Sequence, residues 1–410
     1  MRTETCAAAR SMSLTRRLFL TSSLGAATAP LLYFAGSPAA TNVAGSNEQA
    51  LDPHEFEAEV DTLVRQIGIT ATRPGVAVLV IAGGHVTLMK GYGLASLRNR
   101  DPITPWTRFE LASVSKTFTS TAVLMLQERG LLSIDDDVRK YLPELPRYES
   151  RPLRISDMLH HISGLPVYFD LENVPMRNKT YWVSEDYPAE FARQQHRFPL
   201  KFPIGQKYEY NNTNYMLMAV VIERVAKKPF GHFMHDEIFT RAGMSNTFIY
   251  SSPASVPRNS GPCNNALGYQ PRGSGWEESW GTAPDRFEKN LEVGDGAVWS
   301  NLRDLANWDA AIRADKLVKA DTMKLAFTPS KTRDGKTNNY GLGWSLNIDR
   351  AGKLLSISHG GDWGGFETSY YNSVAESFTV ALLSNRGKKI DINKLSEELC
   401  GVVRTRIKTD

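Results

Sequence analysis

A serine and a lysine three residues apart are the first group in this chain that could do chemistry. The segment Ser113–Lys116 reads Ser-Val-Ser-Lys and begins a helical pattern that continues to Arg129 and stops at Gly130. Residues three apart lie on one face of a helix, so the Ser113 hydroxyl and the Lys116 amine can meet. The helix N-terminus favours a developing anion, and a partly desolvated lysine can accept the hydroxyl proton. Because a serine there is also a common helix cap, this pattern alone is weak.

The second group is Tyr210-Asn211-Asn212. A phenol close to a cationic lysine can be pulled towards phenolate and can shuttle protons. An Asn side chain can bind the lysine and a substrate carbonyl together. The alternative is a polar turn that starts the following helix, and we favour that interpretation for Asn211, Thr213 and Asn214.

The third group is the segment His359–Phe366, which reads His-Gly-Gly-Asp-Trp-Gly-Gly-Phe at the end of a predicted strand. Glycines there allow a substrate backbone to approach the strand edge closely. A backbone N–H on this strand, opposite the N–H of Ser113, would form an oxyanion hole. The alternative is a glycine-rich hairpin with a buried histidine. Trp363 either walls an acyl pocket or is an exposed hairpin residue.

In this order and at this spacing, the three groups resemble the serine β-lactamase-related hydrolases, the penicillin-binding-protein-like family. Its members carry Ser-x-x-Lys, and the class C β-lactamases, esterases and D-peptidases follow it with Tyr-x-Asn. The resemblance extends from about residue 55 to the C-terminus. Further segments that resemble the family are Phe109–Phe118, Leu159–Pro166, Phe202–Tyr215 and Tyr340–Trp344.

The resemblance implies a role for each matching residue. Ser113 would attack a carbonyl while Lys116 and Tyr210 relay its proton, and Asn212 would orient the lysine and the substrate. The backbone N–H groups of Ser113 and Asp362 would hold the oxyanion. Tyr210 would protonate the leaving group and activate the water that cleaves the acyl-enzyme, with His359 as an alternative base for that water. No metal or organic cofactor is required.

One departure from the family bears on the substrate. The family's Lys-Thr-Gly aligns with His359-Gly360-Gly361, so its lysine is a histidine and its hydroxyl residue a glycine. These side chains help to seat a substrate carboxylate in the family. Because a histidine is only partly protonated near neutral pH, carboxylate recognition is weakened. The substitution resembles the esterase and amidase members.

The expected function is therefore a serine hydrolase that cleaves a small-molecule ester or amide, or a peptide, through a Ser113 acyl-enzyme. A D-Ala-D-Ala carboxypeptidase or a weak β-lactamase is the near alternative. An alternative of another class is a non-catalytic protein that binds cell-wall peptides or another protein. The intact Ser113, Lys116, Tyr210 and Asn212 argue against it.

The helices and strands expected around these residues indicate an α/β fold of the α+β type. An antiparallel sheet is flanked by N- and C-terminal helices and carries a mostly helical lobe, as in β-lactamases and transpeptidases. Residues 54–407 form the hydrolase domain, with an α/β lobe at about 54–112 and 326–407 and a helical lobe at about 113–325. Helices are expected at 54–67, 113–129, 155–161, 215–226, 303–314 and 392–407, and strands at 75–82, 86–92, 340–348, 353–359, 366–371 and 378–384.

The N-terminal 39 residues resemble a twin-arginine export signal, with Arg16 and Arg17 before an apolar stretch. A signal anchor that stays uncleaved is the alternative. Residues 40–53 would be a linker. We expect a periplasmic or secreted protein with no stable membrane span after cleavage. The oligomeric state stays open.

Charge and the few cysteines exclude other classes. Of 48 basic and 44 acidic residues, the first 39 positions hold four Arg and one Glu, which leaves 44 and 43, a net charge of +1. Such a nearly neutral body does not indicate nucleic-acid binding. The sequence has two histidine clusters, His160-His161 and His232 with His235. Because neither has a cysteine or acidic residue at the spacing of a zinc ligand, no metal site is predicted. Whether Cys263 and Cys400 pair is open.

Overall fold

The computed structural model describes residues 53–148, 151–170, 182–251, 255, 264–279, 290–291, 293–387 and 391–406. The chain divides into two units, Met1–Gln49 and Ala50–Asp410. The predicted signal, almost all of the linker, and Cys263 lie outside the described residues, whereas Cys400 is a free, buried thiol. Within the described ranges, no helix combines the length and the apolarity that a membrane crossing needs.

A six-stranded antiparallel sheet organises the described part of the chain. It joins the two ends of the domain, because Val76 pairs with Ser384. The order across the sheet is β3-β4-β5-β6-β1-β2. The strands are β1 (Val76–Ala82), β2 (His85–Tyr92), β3 (Ser345–Ile348), β4 (Leu354–Trp363), β5 (Phe366–Ser373) and β6 (Phe378–Ser384).

Helices cover the two faces of this sheet. Their bounds are α1 (Pro53–Gln66), α2 (Ser115–Glu128), α3 (Ile155–Leu159), α4 (Tyr187–Arg193), α5 (Asn212–Ala226), α6 (Phe230–Phe233), α7 (Thr240–Ala242), α8 (Leu302–Arg313), α9 (Ala320–Ala326) and α10 (Ile392–Arg406). A π-helical turn, Met234–Phe239, connects α6 to α7. Smaller sheets pair Phe109–Glu110 and Phe248–Ile249 with Val298–Ser300, Leu94–Ser96 with Asp101–Pro102, Trp182–Val183 with Asn290–Leu291, Tyr269–Arg272 with Gly275–Glu278, and Ser330–Lys331 with Thr337–Asn338.

Strand β1 shows why the sheet lies between two helical layers. Its side chains alternate with period two, and both sets are apolar and buried. Val78 and Val80 belong to the core formed with α1 and α10, whereas Leu79 and Ile81 belong to the core that includes α2 and α5. The predicted fold, an antiparallel sheet flanked by the N- and C-terminal helices and carrying further helices on its other face, is confirmed.

Helix α2 lies in the middle of the second layer. Every residue from Ser115 to Leu126 is buried, so the helix is surrounded by protein. The Phe118 ring lies 4.1 Å from the Trp308 ring and 5.9 Å from the Phe239 ring, measured between centroids. Close packing on all sides gives the residues at the start of α2 a rigid support.

The structure corrects two of the predicted elements. The helix expected at 155–161 ends at Leu159, because His161 adopts a left-handed conformation with a φ of 57°. The strand expected at 340–348 begins only at Ser345. The preceding residues pack against helices instead, since a Cβ on Gly341 would lie 2.0 Å from the Ala326 carbonyl oxygen and one on Gly343 2.8 Å from the Lys116 carbonyl oxygen.

Candidate active site

Ser113 lies in a tight turn just before the buried helix. A 3-10 turn spans Ala112–Val114, and α2 begins at Ser115, two residues later than expected. Ala112 has a φ of 47°, in the left-handed region that a residue with a Cβ rarely adopts. Such strain persists where the surrounding packing maintains it, and it is common at functional sites. The turn presents Ser113 above the first turn of α2.

The structure brings the Lys116 amine to the Ser113 hydroxyl. Nζ lies 3.0 Å from Ser113 Oγ and donates a second hydrogen bond, of 2.7 Å, to the Asp295 carbonyl oxygen. The Lys116 side chain is fully buried. Burial lowers the pKa of Lys116 to about 8, although the charge of Asp295 acts in the opposite direction. An amine in this state can lose its proton near neutral pH and act as a base.

Tyr210 lies beside the same pair, in the loop that precedes α5. Its ring centroid is 5.0 Å from Lys116 Nζ, and its hydroxyl shares a hydrogen bond with Ser113. Burial raises the pKa of Tyr210 above its usual value, and the charge of Asp295 adds to this, while the bond to Ser113 opposes it. Because 39% of the side chain is exposed, solvent moderates the shift. The expected pull towards phenolate is therefore wrong, because the phenol keeps its proton near neutral pH. Lys116 is then the stronger candidate base.

His161 holds the backbone on both sides of Tyr210. Its carbonyl oxygen accepts a 2.9 Å hydrogen bond from the Glu209 N–H, and its Nδ1 accepts one of 3.1 Å from the Asn211 N–H. The His161 and Tyr210 rings are 4.3 Å apart. Burial holds the pKa of His161 well below its usual value, so the ring is neutral. The left-handed turn that ends α3 is therefore what orients this histidine towards the Tyr210 loop.

His359 is on strand β4, buried and uncharged. Its Nδ1 lies 2.6 Å from the Gly360 carbonyl oxygen, which can only accept, so Nδ1 carries the proton. Nε2 then accepts a 2.9 Å hydrogen bond from the Tyr340 hydroxyl. Burial, together with the charge of Lys116, lowers the pKa of His359 to about 3. The expectation of partial protonation near neutral pH is wrong, because desolvation opposes the imidazolium.

Gly361 brings β4 against the turn that carries Ser113. A Cβ on Gly361 would lie 2.4 Å from the Leu111 carbonyl oxygen and 2.9 Å from the Ala112 Cβ, so only glycine fits. At Gly360 a Cβ would meet only the Thr368 carbonyl oxygen, at 3.7 Å. Gly361 therefore lies directly against the turn that carries Ser113. The oxyanion hole formed by the N–H groups of Ser113 and Asp362 stays a prediction.

Asn212 is the first residue of α5 and follows Asn211, whose side chain accepts a hydrogen bond from the Thr213 N–H as an N-cap. This capping role for Asn211 is the one expected. The Asn212 Oδ1 is buried and has no hydrogen-bond partner in the part of the chain that the structure describes. The two partners shown for the Lys116 amine are Ser113 and Asp295, so the orienting role of Asn212 stays a prediction.

Asp295 is the residue of this site that the sequence analysis missed. It lies 179 positions after Lys116, is 7% exposed, and accepts a 3.1 Å hydrogen bond from the Tyr168 hydroxyl at Oδ2. Burial raises the pKa of the Asp295 carboxyl, and the charge of Lys116 opposes that shift. The only sequence signal is an aspartate between two glycines, Gly294 and Gly296.

Three large aromatic side chains of these segments are exposed to solvent. Trp363, two residues after Gly361 on the same face of β4, is 43% exposed and stacks on Phe169 at 5.9 Å with an interplanar angle of 11°. Tyr208 and Tyr210 are also exposed large side chains. Each of these side chains combines an apolar ring with one polar atom.

Comparisons with known proteins agree with this geometry. A profile of the beta-lactamase family matches residues 60–397. Penicillin-binding protein 4* of Bacillus subtilis (strain 168) is 30% identical over 317 residues, which cover 75% of this chain and 67% of that protein. The chain thus spans about two thirds of the length of this relative.

Two solved structures show the same fold. An octameric penicillin-binding protein homologue from Pyrococcus abyssi superposes with a TM-score of 0.70 at 21% identity, over 86% of this chain and 78% of that one. EstCE1, a hydrolase with promiscuous acyltransferase activity, superposes with a TM-score of 0.68 at 18% identity, over 86% of this chain and all of that one (100%). The chain therefore belongs to the beta-lactamase family of serine hydrolases.

Proposed function

We propose that this protein is an exported serine hydrolase that cleaves uncharged esters or amides through an acyl-Ser113 intermediate. The hydrogen bond of 3.0 Å between Ser113 Oγ and the buried Lys116 amine carries this proposal. Burial lowers the pKa of that amine to about 8, so that about a tenth of it is neutral at pH 7 and more as the pH rises. The resemblance of residues 1–39 to a twin-arginine export signal supports a periplasmic or secreted location.

The reaction proceeds by acyl transfer to the serine. Neutral Lys116 takes the proton of Ser113 Oγ as the oxygen forms a bond to the substrate carbonyl carbon. The N–H groups of Ser113 and Asp362 hold the carbonyl oxygen, which becomes negatively charged. Tyr210 gives a proton to the leaving alcohol or amine as the bond to carbon breaks, and it regains one from Lys116. Water then attacks the acyl-enzyme, loses its proton to the same Lys116–Tyr210 pair, and releases the acid and free Ser113.

The choice of uncharged substrates rests on His359 and Gly360. Neutral His359 donates its one proton to the Gly360 carbonyl oxygen and so offers no charge to a carboxylate. Gly360 has no hydroxyl. Among the relatives, EstCE1 is described as a hydrolase with acyltransferase activity, which is consistent with acyl transfer to and from a serine.

Labelling with a fluorophosphonate tests the nucleophile. We expect a single labelled peptide that contains Ser113, and no label on Ser113→Ala, whose fold is checked by its thermal transition. Label on another serine, or none on the folded wild type, would contradict the proposal and favour a protein that only binds its ligand.

Substrate class is tested by comparing a neutral nitrophenyl ester with a chromogenic cephalosporin. We expect the wild type to prefer the ester, and the double variant His359→Lys with Gly360→Thr to gain about one to two orders of magnitude on the cephalosporin alone, the worth of one charge-assisted hydrogen bond. Gly360→Thr as a single variant is the control. Since the pKa of His359 is lowered to about 3, the ratio of the two rates should stay constant between about pH 5 and 8. A wild type that prefers the cephalosporin would instead make it a β-lactamase.

A further inference from the structure

The segment that carries Asp295 is fixed to the helix that carries the catalytic lysine. Gly294 has a φ of 101°, and a Cβ there would lie 2.5 Å from the Tyr215 carbonyl oxygen, so the turn passes tightly against α5. Four hydrogen bonds then join the segment to the region of α2: Thr119 Oγ1 to the Gly294 carbonyl (2.6 Å), Lys116 Nζ to the Asp295 carbonyl (2.7 Å), the Ala297 N–H to Glu110 Oε1 (3.1 Å) and the Val298 N–H to Ser115 Oγ (3.2 Å).

These contacts determine where the Asp295 carboxyl lies. Because the carbonyl of the same residue contacts Nζ, the carboxyl is within one side-chain length of the Lys116 amine. It is buried, and the Tyr168 hydroxyl donates to it at 3.1 Å. Tyr168 is itself buried, so this donor is not replaced by bulk water. A carboxylate close to a buried amine favours the protonated amine.

The other groups that face Lys116 are uncharged near neutral pH. They are Tyr210 in the loop before α5, Tyr215 in α5, His161 at the end of α3 and His359 on β4. Burial raises the pKa of the two tyrosines and lowers the pKa of the two histidines. Within the described ranges, Asp295 is the acidic side chain whose charge acts on the amine. Burial raises the pKa of its carboxyl, whereas the charge of Lys116 and the hydrogen bond from Tyr168 favour the carboxylate.

We propose that Asp295 is a positioning residue that controls the protonation of Lys116. Its carbonyl holds the amine against Ser113, and its carboxylate keeps a proton on that amine, so that Ser113 becomes reactive only as the pH rises. This inference rests on the proposed function, in which neutral Lys116 activates Ser113. Removing this carboxylate should therefore extend the activity of the enzyme to lower pH.

The pH dependence of fluorophosphonate labelling at Ser113 tests the proposal without any assumption about the natural substrate. The wild-type rate should rise with pH to a plateau, with its midpoint where Lys116 loses its proton. In Asp295→Asn and in Asp295→Ala, which both keep the backbone carbonyl, the midpoint should move down by about one to two pH units. At about pH 6 the variants should then be labelled at least about tenfold faster than the wild type.

Asp304→Asn is the matched control. Asp304 is also buried and accepts a 2.7 Å hydrogen bond from the Thr247 hydroxyl, but it does not act on Lys116. The labelling midpoint of Asp304→Asn should equal that of the wild type. A shift as large as that of the Asp295 variants would overturn the proposal, because it would show a general effect of removing a charge.

Three other results would also overturn it: an unchanged or higher midpoint, folded Asp295 variants that are labelled at no pH, and a wild type already labelled at its full rate at about pH 6. The last needs no variant, so the proposal can fail even if both substitutions prevent folding. A wild type that is labelled at no pH would instead refute the proposed function itself.

Discussion

Lys116→Met measures the free-energy cost of burying the Lys116 ammonium group. Burial lowers the pKa of Lys116 from its ordinary 10.5 to about 8, a difference of about 2.5 pH units. Each unit corresponds to about 1.4 kcal/mol, so the whole difference is roughly 3 kcal/mol. Methionine has a similar length and no charge, and it removes the titration from both the folded and the unfolded state.

The sign of the effect follows from proton binding. Between about pH 8 and 10.5 the unfolded chain keeps the lysine proton and the folded protein does not. The free energy of unfolding therefore rises with pH in this window. The cost of the buried ammonium is present in full below about pH 8 and has disappeared above 10.5. The methionine variant lacks this contribution at every pH.

Urea unfolding of both proteins at intervals from about pH 7 to 10.5 gives the test. We expect the stability of the wild type minus that of the variant to rise by roughly 3 kcal/mol across the range. Tyrosines and other lysines titrate in both proteins, so their contributions cancel. Lys353→Met, at an exposed position, is the control for the loss of a lysine that is not buried. A constant or falling difference for Lys116→Met would refute the argument that desolvation lowers its pKa.

Three substitutions test other parts of the site. Lys116→Arg should lower kcat/KM by at least about 100-fold at every pH, because a guanidinium keeps its proton; an active variant would show that Tyr210 deprotonates Ser113. Tyr210→Phe should reduce the hydrolysis of amides far more than that of nitrophenyl esters, because nitrophenolate leaves without a proton; equal losses would contradict its role as the acid. Gly361→Ala should destabilise the protein by about 1–3 kcal/mol in thermal unfolding and slow labelling, since its Cβ would lie 2.4 Å from the Leu111 carbonyl oxygen; unchanged values for both would contradict this close packing.

Local patterns in the sequence were sufficient to predict the secondary-structure elements of the protein and its candidate reacting groups. The hydrogen bond between Ser113 and Lys116 depends on a spacing of three residues, which a single helical turn converts into contact. The individual strands follow from their apolar runs, and the β1–β2 hairpin follows from the short turn at Gly83-Gly84; both are interactions between near neighbours in the chain. The family motifs added the third partner, Tyr210, whose distance along the chain no periodicity spans.

Protonation and support in the site were decided only by the tertiary structure. Desolvation depends on what surrounds a group, and for His359 it comes from buried neighbours such as Tyr340, which makes the ring neutral where its residue type alone predicts partial charge. The same packing explains why 340–344 is not a strand, because Gly343 lies against the backbone of Lys116. Asp295 reaches the active-site lysine across 179 residues of sequence. Since an electrostatic interaction acts through space and strengthens as water is excluded, its partners are known only once the chain has folded.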